Sequence, residues 1–329
     1  MRRGSGGCKL AVVPKILVTG SIAYDLLLTY DGSFADAIDP AALQSLSVAF
    51  VTPHFSRHFG GCGANIAWGL ALLGQEPLLV STVGTDGDPY VRLLRDRGIS
   101  LRYVGRADDR MTATAIVASD AQERQITFYH PGADACGTWP DLSKERGITH
   151  AIVSPCDTSM MLPALRWCAG NGIPTLFDPG QQIGVLGNDD LLRGMKNSAG
   201  IIANAYEWDQ IGGRLGLSPK EALETVPMVI VTEGEKGLTI HSRDGALRIA
   251  PCIPGRVVNP TGAGDALRAG FLTGLSHGWS IEQCGHLGAA MGSFAVEEEG
   301  TLLEHLDARA VWERAEETYG EVLPQIGAF

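Results

Sequence analysis

Short apolar runs alternate with helix-like stretches along most of the 329-residue chain. The run "KILVTGS" predicts a first strand that ends at Gly20. The segment "DPYVRLLRDRG" predicts a helix with Asp88 as its cap, Pro89 as its first residue and Gly98 beyond its end. Further strand-like runs are "PLLVSTVG", "THAIVS", "PTLFDPG", "GIIAN" and "PMVIVTEG". Repeated strand–helix units with apolar strands predict an α/β fold, with a parallel sheet covered on both faces.

Two regions depart from this alternation, residues 22–60 and about 102–130. The segment "RMTATAIVASDAQERQITFYH" has the pattern of two strands joined by a polar turn, and "SLSVAFVTPHF" also looks extended. These segments predict a small sheet that stands off the main one as a lid. A further hairpin is predicted to turn at Asp244-Gly245. We expect residues 1–14 to be a flexible tail and residues 15–329 to be one domain.

Composition and charge narrow the class of protein. The chain is 45% hydrophobic and 19% charged, which is typical of a globular protein, and no apolar run approaches the length of a membrane span. The net charge of −11 disfavours nucleic acid as a partner, because binding phosphate backbones requires a basic surface. The seven cysteines contain no CxxC pair, and the opening segment has too short an apolar stretch for a signal peptide. These features predict a cytoplasmic location.

The segment "NPTGAGDALRAGF" combines a glycine turn with a carboxylate at the start of a predicted helix. The glycines let the amides of four consecutive residues point together at an anion. Asp265 would then face the anion, which is unfavourable unless it removes a proton from a reacting hydroxyl. Taken alone, the pattern fits an ordinary glycine turn with a capping aspartate better. The four amides belong to Gly262, Ala263, Gly264 and Asp265.

Polar groups follow nearly every predicted strand. In "GGCGANIAWGLALLG", Gly61 allows close approach of a ligand and Asn65 offers an amide to a hydroxyl. Asn204 and Glu207 in "ANAYEWD" could order the water shell of Mg²⁺, although a helix cap explains them better when the motif is taken alone. The other candidates are Ser21 and Asp25 for sugar hydroxyls, Gln181 and Gln182 for an amide-binding ligand, and Thr232 and Gly234 for a phosphate chain. Each signal is weak alone, but their convergence favours a ligand site at one edge of the sheet.

These motifs resemble those of a known family. "GGCGANIAWGLALLG" is similar to the first signature of the ribokinase-like (PfkB) kinases, "NPTGAGDALRAGF" to the second, and "NAYE" to their N-x-x-E motif. Further segments look closer to the bacterial adenosine kinases of mycobacterial type. The resemblance implies a doubly wound, mostly parallel sheet with a small β-sheet lid. It implies ATP-dependent phosphorylation of the 5′-hydroxyl of adenosine, with Mg²⁺ as cofactor.

The resemblance also implies roles for individual residues. Asp265 is the catalytic base, and the amides of residues 262–265 form the anion hole. The nucleoside is held by Ser21, Asp25, Ser47, Gly61, Asn65, Gln181 and Gln182, with Phe128 stacked on its base. The ATP side comprises Asn204, Thr232, Gly234, Gly237, Gly262 and Gly264, with Glu207 and Asn204 serving the metal through water.

Three residues differ from the family pattern. Asn259 stands where the second signature has Asp, beside the family's monovalent-cation site, so K⁺ dependence is left open. Val185 replaces an arginine and Ala115 an aromatic residue near the nucleoside, which leaves the base preference open. The alternatives are a family member acting on inosine, guanosine, cytidine or ribose, or a non-catalytic nucleoside-binding protein. A nicotinamide dehydrogenase is disfavoured, because the dinucleotide fingerprint lacks its third glycine.

The predicted lid sheet also indicates that the protein forms an oligomer. A small sheet with little material covering it exposes edges and apolar faces, which proteins tend to bury. We therefore expect a homodimer formed through the lid, with a nucleoside and ATP as the small-molecule partners.

Overall fold

The computed structural model describes residues 13–39, 44–45, 47–122 and 124–326. Residues 1–12 of the predicted tail lie outside this range. The strands are β1 Lys15–Thr19, β2 Ala23–Thr29, β3 His54–Gly60, β4 Glu76–Val83, β5 Ser100–Arg106, β6 Ala113–Ser119, β7 Gln125–His130, β8 Ile148–Val153, β9 Thr175–Phe177, β10 Gly200–Asn204, β11 Met228–Thr232, β12 Leu238–Ser242 and β13 Gly245–Ile249. The helices are α1 Phe34–Ala37, α2 Cys62–Leu72, α3 Asp88–Asp96, α4 Thr158–Gly170, α5 Asn188–Lys196, α6 Ala205–Leu215, α7 Pro219–Ala222, α8 Ala263–Ser276, α9 Ile281–Ala295 and α10 Ala308–Tyr319.

Nine of the strands in the described residues form the main sheet, in the order β13-β12-β11-β10-β9-β8-β1-β4-β5. The seven strands from β11 to β5 in this order pair in parallel, and β12 and β13 extend the sheet as an antiparallel hairpin. The predicted mostly parallel sheet is therefore confirmed. The carboxyl ends of its parallel strands meet at one edge, which is where open α/β sheets bind ligands.

Helices cover both faces of the main sheet, and each face has its own apolar core. Successive residues of β1 contribute to opposite cores, because side chains alternate along a strand. Ile16 and Val18 pack with α2, α8, α9 and α10, whereas Leu17 packs with α4, α5 and α6. This arrangement confirms the prediction of a doubly wound sheet. It also places the N-termini of the helices that follow parallel strands near the edge where ligands bind.

The remaining strands form the lid, a four-stranded sheet in the order β3-β2-β6-β7. Strands β2 and β6 are parallel, and the other two pairs are antiparallel. The lid differs from the prediction in one respect: β5 pairs with β4 in the main sheet, so the second lid segment is Ala113–His130 and not about 102–130. Strand periodicity does not say which sheet a strand joins, because pairing is a long-range property.

Several local boundaries also differ from the predictions. Helix α3 has Gly87 as its N-cap, with Asp88 and Pro89 as its first two residues. Gly245 pairs with Ser242, which moves the turn of the β12–β13 hairpin to Arg243-Asp244. In the extended-looking segment, residues 47–53 form no strand, and β3 begins at His54.

No helix in the described residues is both long enough and apolar enough to cross a membrane. The six cysteines in the described part of the chain are free thiols.

Candidate active site

The glycine turn lies at the start of α8, as predicted. Gly262 is the N-cap and has a φ of +86°, a conformation that disfavours residues with a side chain. A Cβ atom there would also lie 2.9 Å from the Cβ of Thr301. The amides of Gly264 and Asp265 fall in the first helical turn, whose N–H groups have no partner within the helix. The turn is thus suited to hold an anion, with the positive end of the helix dipole behind it.

Asp265 is the third residue of α8 and is held from another helix. Its Oδ2 accepts a hydrogen bond of 2.9 Å from Asn65 Nδ2 on α2, and the Thr301 hydroxyl donates to Asn65 Oδ1 over 3.1 Å. The N-cap of α8 is a glycine without a side-chain cap bond, so the simple capping explanation does not describe the observed contacts. The two consecutive hydrogen bonds, from Thr301 to Asn65 and from Asn65 to Asp265, instead fix the orientation of the Asp265 carboxylate.

Burial raises the pKa of Asp265 to about 6, opposed by the Arg268 guanidinium and the Asn65 hydrogen bond. A carboxylate with this pKa is mostly ionised at neutral pH and is more basic than an exposed one. It therefore matches the requirements of a general base near pH 7.

Asp25 on β2 lies close to this group. It is only 9% exposed, and burial followed by the charge of Asp265 raises its pKa to about 7. Gly60 on β3 faces it so closely that a Cβ atom would lie 2.1 Å from Asp25 Oδ2. Asp25 and Asp265 interact, so their titrations are coupled.

The helix entry before Asn65 packs backbone against backbone. Gly61 has a φ of +94°, and a Cβ on it would lie 2.6 Å from the backbone of Ser21 and Ala23. Ser21 is 2% exposed, and its carbonyl accepts a hydrogen bond from the Ala64 amide. The structure therefore brings together four of the predicted nucleoside residues, Ser21, Asp25, Gly61 and Asn65, next to Asp265.

Strand register in the lid separates Phe128 from this group. Asp25 pairs with Ala115, and Ala115 pairs with Tyr129, so these three side chains share one face. Phe128 lies one residue away and belongs to the opposite face, where it is 66% exposed. Burial raises the pKa of Tyr129, and Ser21 interacts with its hydroxyl. The aromatic side chain on the Asp25 face is thus Tyr129, and the predicted stacking role does not fit Phe128.

The other predicted nucleoside residues are less tightly placed. Gln181 is exposed and Gln182 half-buried, in the short 3₁₀ helix Gly180–Gly184 after β9. Ser47 is exposed, and in the described part of the chain it makes no hydrogen bond to the other candidates. Val185 is 70% exposed.

The predicted ATP side lies further along the same sheet edge. Asn204 and Thr232 are direct neighbours at the ends of β10 and β11. Gly234 has a φ of +59° and open space around its Cβ position, which leaves room for a ligand. A Cβ on Gly237 would lie 2.2 Å from the Ile249 carbonyl, so this glycine serves the packing of β12 against β13.

Asn204 and Glu207 form a capping box at the start of α6. Glu207 Oε2 accepts from the Asn204 amide, and Asn204 Oδ1 accepts from the Glu207 amide, both over 2.8 Å. Burial raises the pKa of Glu207, with Asp178 adding to the effect. The Glu207 carboxylate keeps one oxygen outside the cap, which fits a water-mediated contact to Mg²⁺. The acceptor oxygen of Asn204 is engaged, so its amide is placed to donate to a phosphate and not to bind a metal.

In the described residues, no group of three or more His, Cys, Asp or Glu side chains could hold a metal by itself. The site contains residues that the sequence reasoning passed over: Thr301, Cys62, Asp178 and Arg268. The Cys62 thiol interacts with the Asp265 carboxylate and lowers its pKa. Asp178 and Arg268 form a buried ion pair. Asp178 lies in the motif "PTLFDPG" and Arg268 in "NPTGAGDALRAGF", but the two residues are far apart in the sequence.

Sequence comparison identifies relatives over nearly the whole chain. A profile of the pfkB family carbohydrate kinases matches residues 13–308. The chain is 33% identical over 252 residues to a nucleoside kinase of Methanocaldococcus jannaschii, covering 75% of this chain and 82% of that protein. It is 32% identical over 294 residues to a nucleoside kinase of Methanothermobacter thermautotrophicus, covering 87% of this chain and 90% of that protein.

Comparison with solved structures gives the same result. A nucleoside kinase of Burkholderia thailandensis in complex with inosine superposes with a TM-score of 0.86 at 32% identity, covering 93% of this chain and 98% of that one. The nucleoside kinase of Methanocaldococcus jannaschii, an archaeal member of the ribokinase family, superposes with a TM-score of 0.83 at 29% identity, covering 92% and 98% of the two chains. The ribokinase-like fold is therefore confirmed.

Proposed function

Because the chain belongs to the pfkB family of carbohydrate kinases, we propose that it phosphorylates the 5′-hydroxyl of adenosine with ATP to give AMP. Membership makes it a phosphotransferase with an alcohol group as acceptor. The observation that carries the nucleoside assignment is the Asn65–Asp265 hydrogen bond above the anion turn, with Asp25 buried beside it. The nucleoside kinases among its relatives support the choice of acceptor.

The geometry supports a direct transfer. Asp25, Gly61 and Asn65 bind the ribose hydroxyls and direct the 5′-oxygen towards Asp265. Asp265 takes the proton of that hydroxyl as its oxygen attacks the γ-phosphorus of ATP and ADP leaves. The amides of the anion turn stabilise the charge that develops on the transferred phosphoryl group. Tyr129, on the Asp25 face of the lid, takes the place of Phe128 as the aromatic side chain on which the nucleobase stacks.

The donor side binds the rest of the ATP. The side-chain amide of Asn204 and the turn at Gly234 contact phosphate oxygens, and the free oxygen of Glu207 would hold Mg²⁺ through water. When bound, the ion would neutralise charge on the phosphates of ATP.

Asn259 supports a reaction that does not depend on K⁺. Its Nδ2 donates to the Glu299 carbonyl over 2.8 Å, and its Oδ1 accepts from the Thr261 amide over 3.0 Å. The side-chain amide of Asn259 thus ties the turn before α8 to the loop after α9. Exchange of K⁺ for a large organic cation should leave turnover unchanged, and a strict K⁺ requirement would contradict this part of the proposal.

The outer face of the lid supports a homodimer. By strand register, this face carries the apolar side chains of Leu26, Leu28, Phe55, Ile116 and Phe128. Phe55 and Phe128 are 63% and 66% exposed, and a second copy would remove them from water. A monomeric mass at micromolar concentration would contradict this assembly.

Inosine is the second candidate acceptor. Gln181 and Gln182 each carry both a donor and an acceptor, so they suit the 6-amino edge of adenine and the 6-oxo edge of hypoxanthine. The Burkholderia thailandensis relative was solved with inosine bound.

A panel of acceptors with Mg·ATP tests the proposal. Adenosine, inosine, guanosine, cytidine and ribose are compared by kcat/KM, and the product is identified by phosphorus NMR. We expect the highest value for adenosine and a 5′-monophosphate as product. A preference for ribose, or binding of nucleosides without turnover, would contradict the assignment.

A further inference from the structure

A buried ion pair lies beside the candidate catalytic base. Arg268 on α8 donates from Nε to Asp178 Oδ2 over 2.6 Å and from an Nη atom to Asp178 Oδ1 over 2.8 Å. Arg268 is 7% exposed and Asp178 is 2% exposed. Two parallel hydrogen bonds of this kind fix both side chains in one geometry. A pair that is this buried stabilises little by itself, because desolvation offsets its attraction.

The pair joins the two walls of the site. Asp178 directly follows β9 and leads into the segment that carries Gln181 and Gln182. Arg268 also donates from Nη1 to the Gly264 carbonyl in the anion turn, over 3.0 Å. A Cβ on Gly264 would lie 2.9 Å from that Nη1. The glycine at this position therefore makes room for the guanidinium, as well as leaving the turn free for an anion.

We propose, on the premise of the kinase function above, that the Arg268–Asp178 pair positions the nucleoside-side loop against the anion turn and controls the charge of Asp265. Arg268 and Asp178 are positioning residues in this account, since they act through Asp265 and Gly264. Arg268 supplies a positive charge close to the base, while Asp178 holds the guanidinium in place.

The charges that face Asp265 support this role. The charged groups are Asp25 on β2, Asp178 after β9 and Arg268 on α8, and the neutral thiol of Cys62 on α2 also faces Asp265. Glu207 on α6 interacts with the same ion pair. Burial raises the pKa of Asp265, Arg268 lowers it, and Asp178 raises it with a smaller effect than Arg268. Removing one partner or the other should therefore move the titration of Asp265 in opposite directions.

Two single variants use that difference. Arg268→Met removes the cation and should move the acid limb of kcat/KM to higher pH by about one unit. Asp178→Asn leaves Arg268 charged and should move the limb to lower pH. An ion pair with a structural role alone predicts a loss of thermal stability in both variants and no opposite movement.

A direct measurement does not depend on activity. The carboxyl carbon of Asp265 is followed by NMR in protein labelled with ¹³C-aspartate, and its signal is assigned by its absence in Asp265→Asn. Because Asp25 titrates together with Asp265, the variants are compared by the direction in which the whole curve moves. The NMR curves should move as the kinetic limbs do.

Two further variants test the same inference if the single variants fold poorly. Arg268→Met combined with Asp178→Leu replaces the pair by apolar side chains and should raise the Asp265 titration, by less than Arg268→Met alone. Arg268→Lys keeps the charge but not the two-pronged contact, so it should keep the wild-type acid limb with a lower kcat.

The outcomes separate this inference from the function on which it rests. If no acceptor is phosphorylated, the kinase proposal fails, and the NMR curves still decide the role of the pair. If the enzyme is active but the Asp265 titration is unchanged in the double variant, or moves the same way in both single variants, the inference is overturned.

Discussion

The two halves of the site are built differently. In the acceptor half, formed by Asp25, Gly61, Asn65 and Asp265, the side chains come from three separate elements and are held by hydrogen bonds and close backbone packing. In the donor half, formed by Asn204, Glu207, Thr232 and Gly234, the side chains cap a helix or lie in an open turn. Asp25 and Asn65 are 9% and 7% exposed, whereas Asn204 and Gly234 are exposed to solvent.

This difference has a consequence for catalysis. Groups that are fixed and desolvated before the substrate arrives lose little on binding, and they act most strongly on the transition state. Groups that are exposed and shared with a helix cap contribute mainly to binding. Substitutions in the acceptor half should therefore lower kcat, and substitutions in the donor half should raise the KM for Mg·ATP.

The largest effect is expected for Asp265→Asn. Asparagine is nearly isosteric, but its amide cannot accept the proton of the 5′-hydroxyl. General-base catalysis typically contributes about 10² to 10⁴-fold, and we expect kcat to fall within that range. The KM values and the melting temperature serve as controls and should stay near those of the wild type. A fall of less than about tenfold would contradict the base assignment.

Acid pH should have the next largest effect. The pKa values of Asp265 and Asp25 are raised to about 6 and about 7. As the pH falls through this range, protonation neutralises both the catalytic base, Asp265, and the carboxylate that binds the ribose hydroxyls, Asp25. We expect kcat/KM for the nucleoside to fall by about tenfold per pH unit while one carboxylate is protonated, and by up to about a hundredfold per unit below both pKa values. A flat profile from pH 8 to 5 would show that neither carboxylate is needed in its ionised form.

A pair of lid variants tests which aromatic side chain the nucleobase stacks on. Tyr129→Ala should raise the nucleoside KM by about tenfold, because stacking of a base on an aromatic ring contributes roughly 1–3 kcal/mol. Phe128→Ala is the matched control, since its side chain lies on the outer face, and it should leave this KM unchanged. The reverse result would restore the stacking role to Phe128.

The smallest effect is expected for Glu207→Gln. The variant keeps an oxygen for the Asn204 amide, so the helix cap survives, but it loses the charge that orders water around the metal. The KM for Mg·ATP should rise by a smaller factor than the nucleoside KM does in Tyr129→Ala, and the nucleoside KM should stay unchanged. An equal rise in both KM values would assign Glu207 to the acceptor half.

Sequence patterns predicted the features that depend on local periodicity and motif spacing. The apolar runs located the parallel strands, and the two glycine-rich motifs located α2 and α8 with Asn65 and Asp265. These features were accessible because a strand followed by a glycine turn and a helix is a local pattern.

The features that were missed depend on long-range pairing. Phe128 and Tyr129 are adjacent, and only the register of β7 against β6 decides which of them faces Asp25. The Arg268–Asp178 contact joins residues 90 positions apart. No propensity or spacing in a single sequence specifies such a pair.

Calorimetric titration with adenosine in the absence of ATP tests the account most directly. The acceptor half is already assembled, so we expect one adenosine to bind per chain, with similar affinity for the wild type and Asp265→Asn. Absence of binding to the wild type without a nucleotide, for both adenosine and inosine, would contradict a preassembled nucleoside site and the function proposed from it.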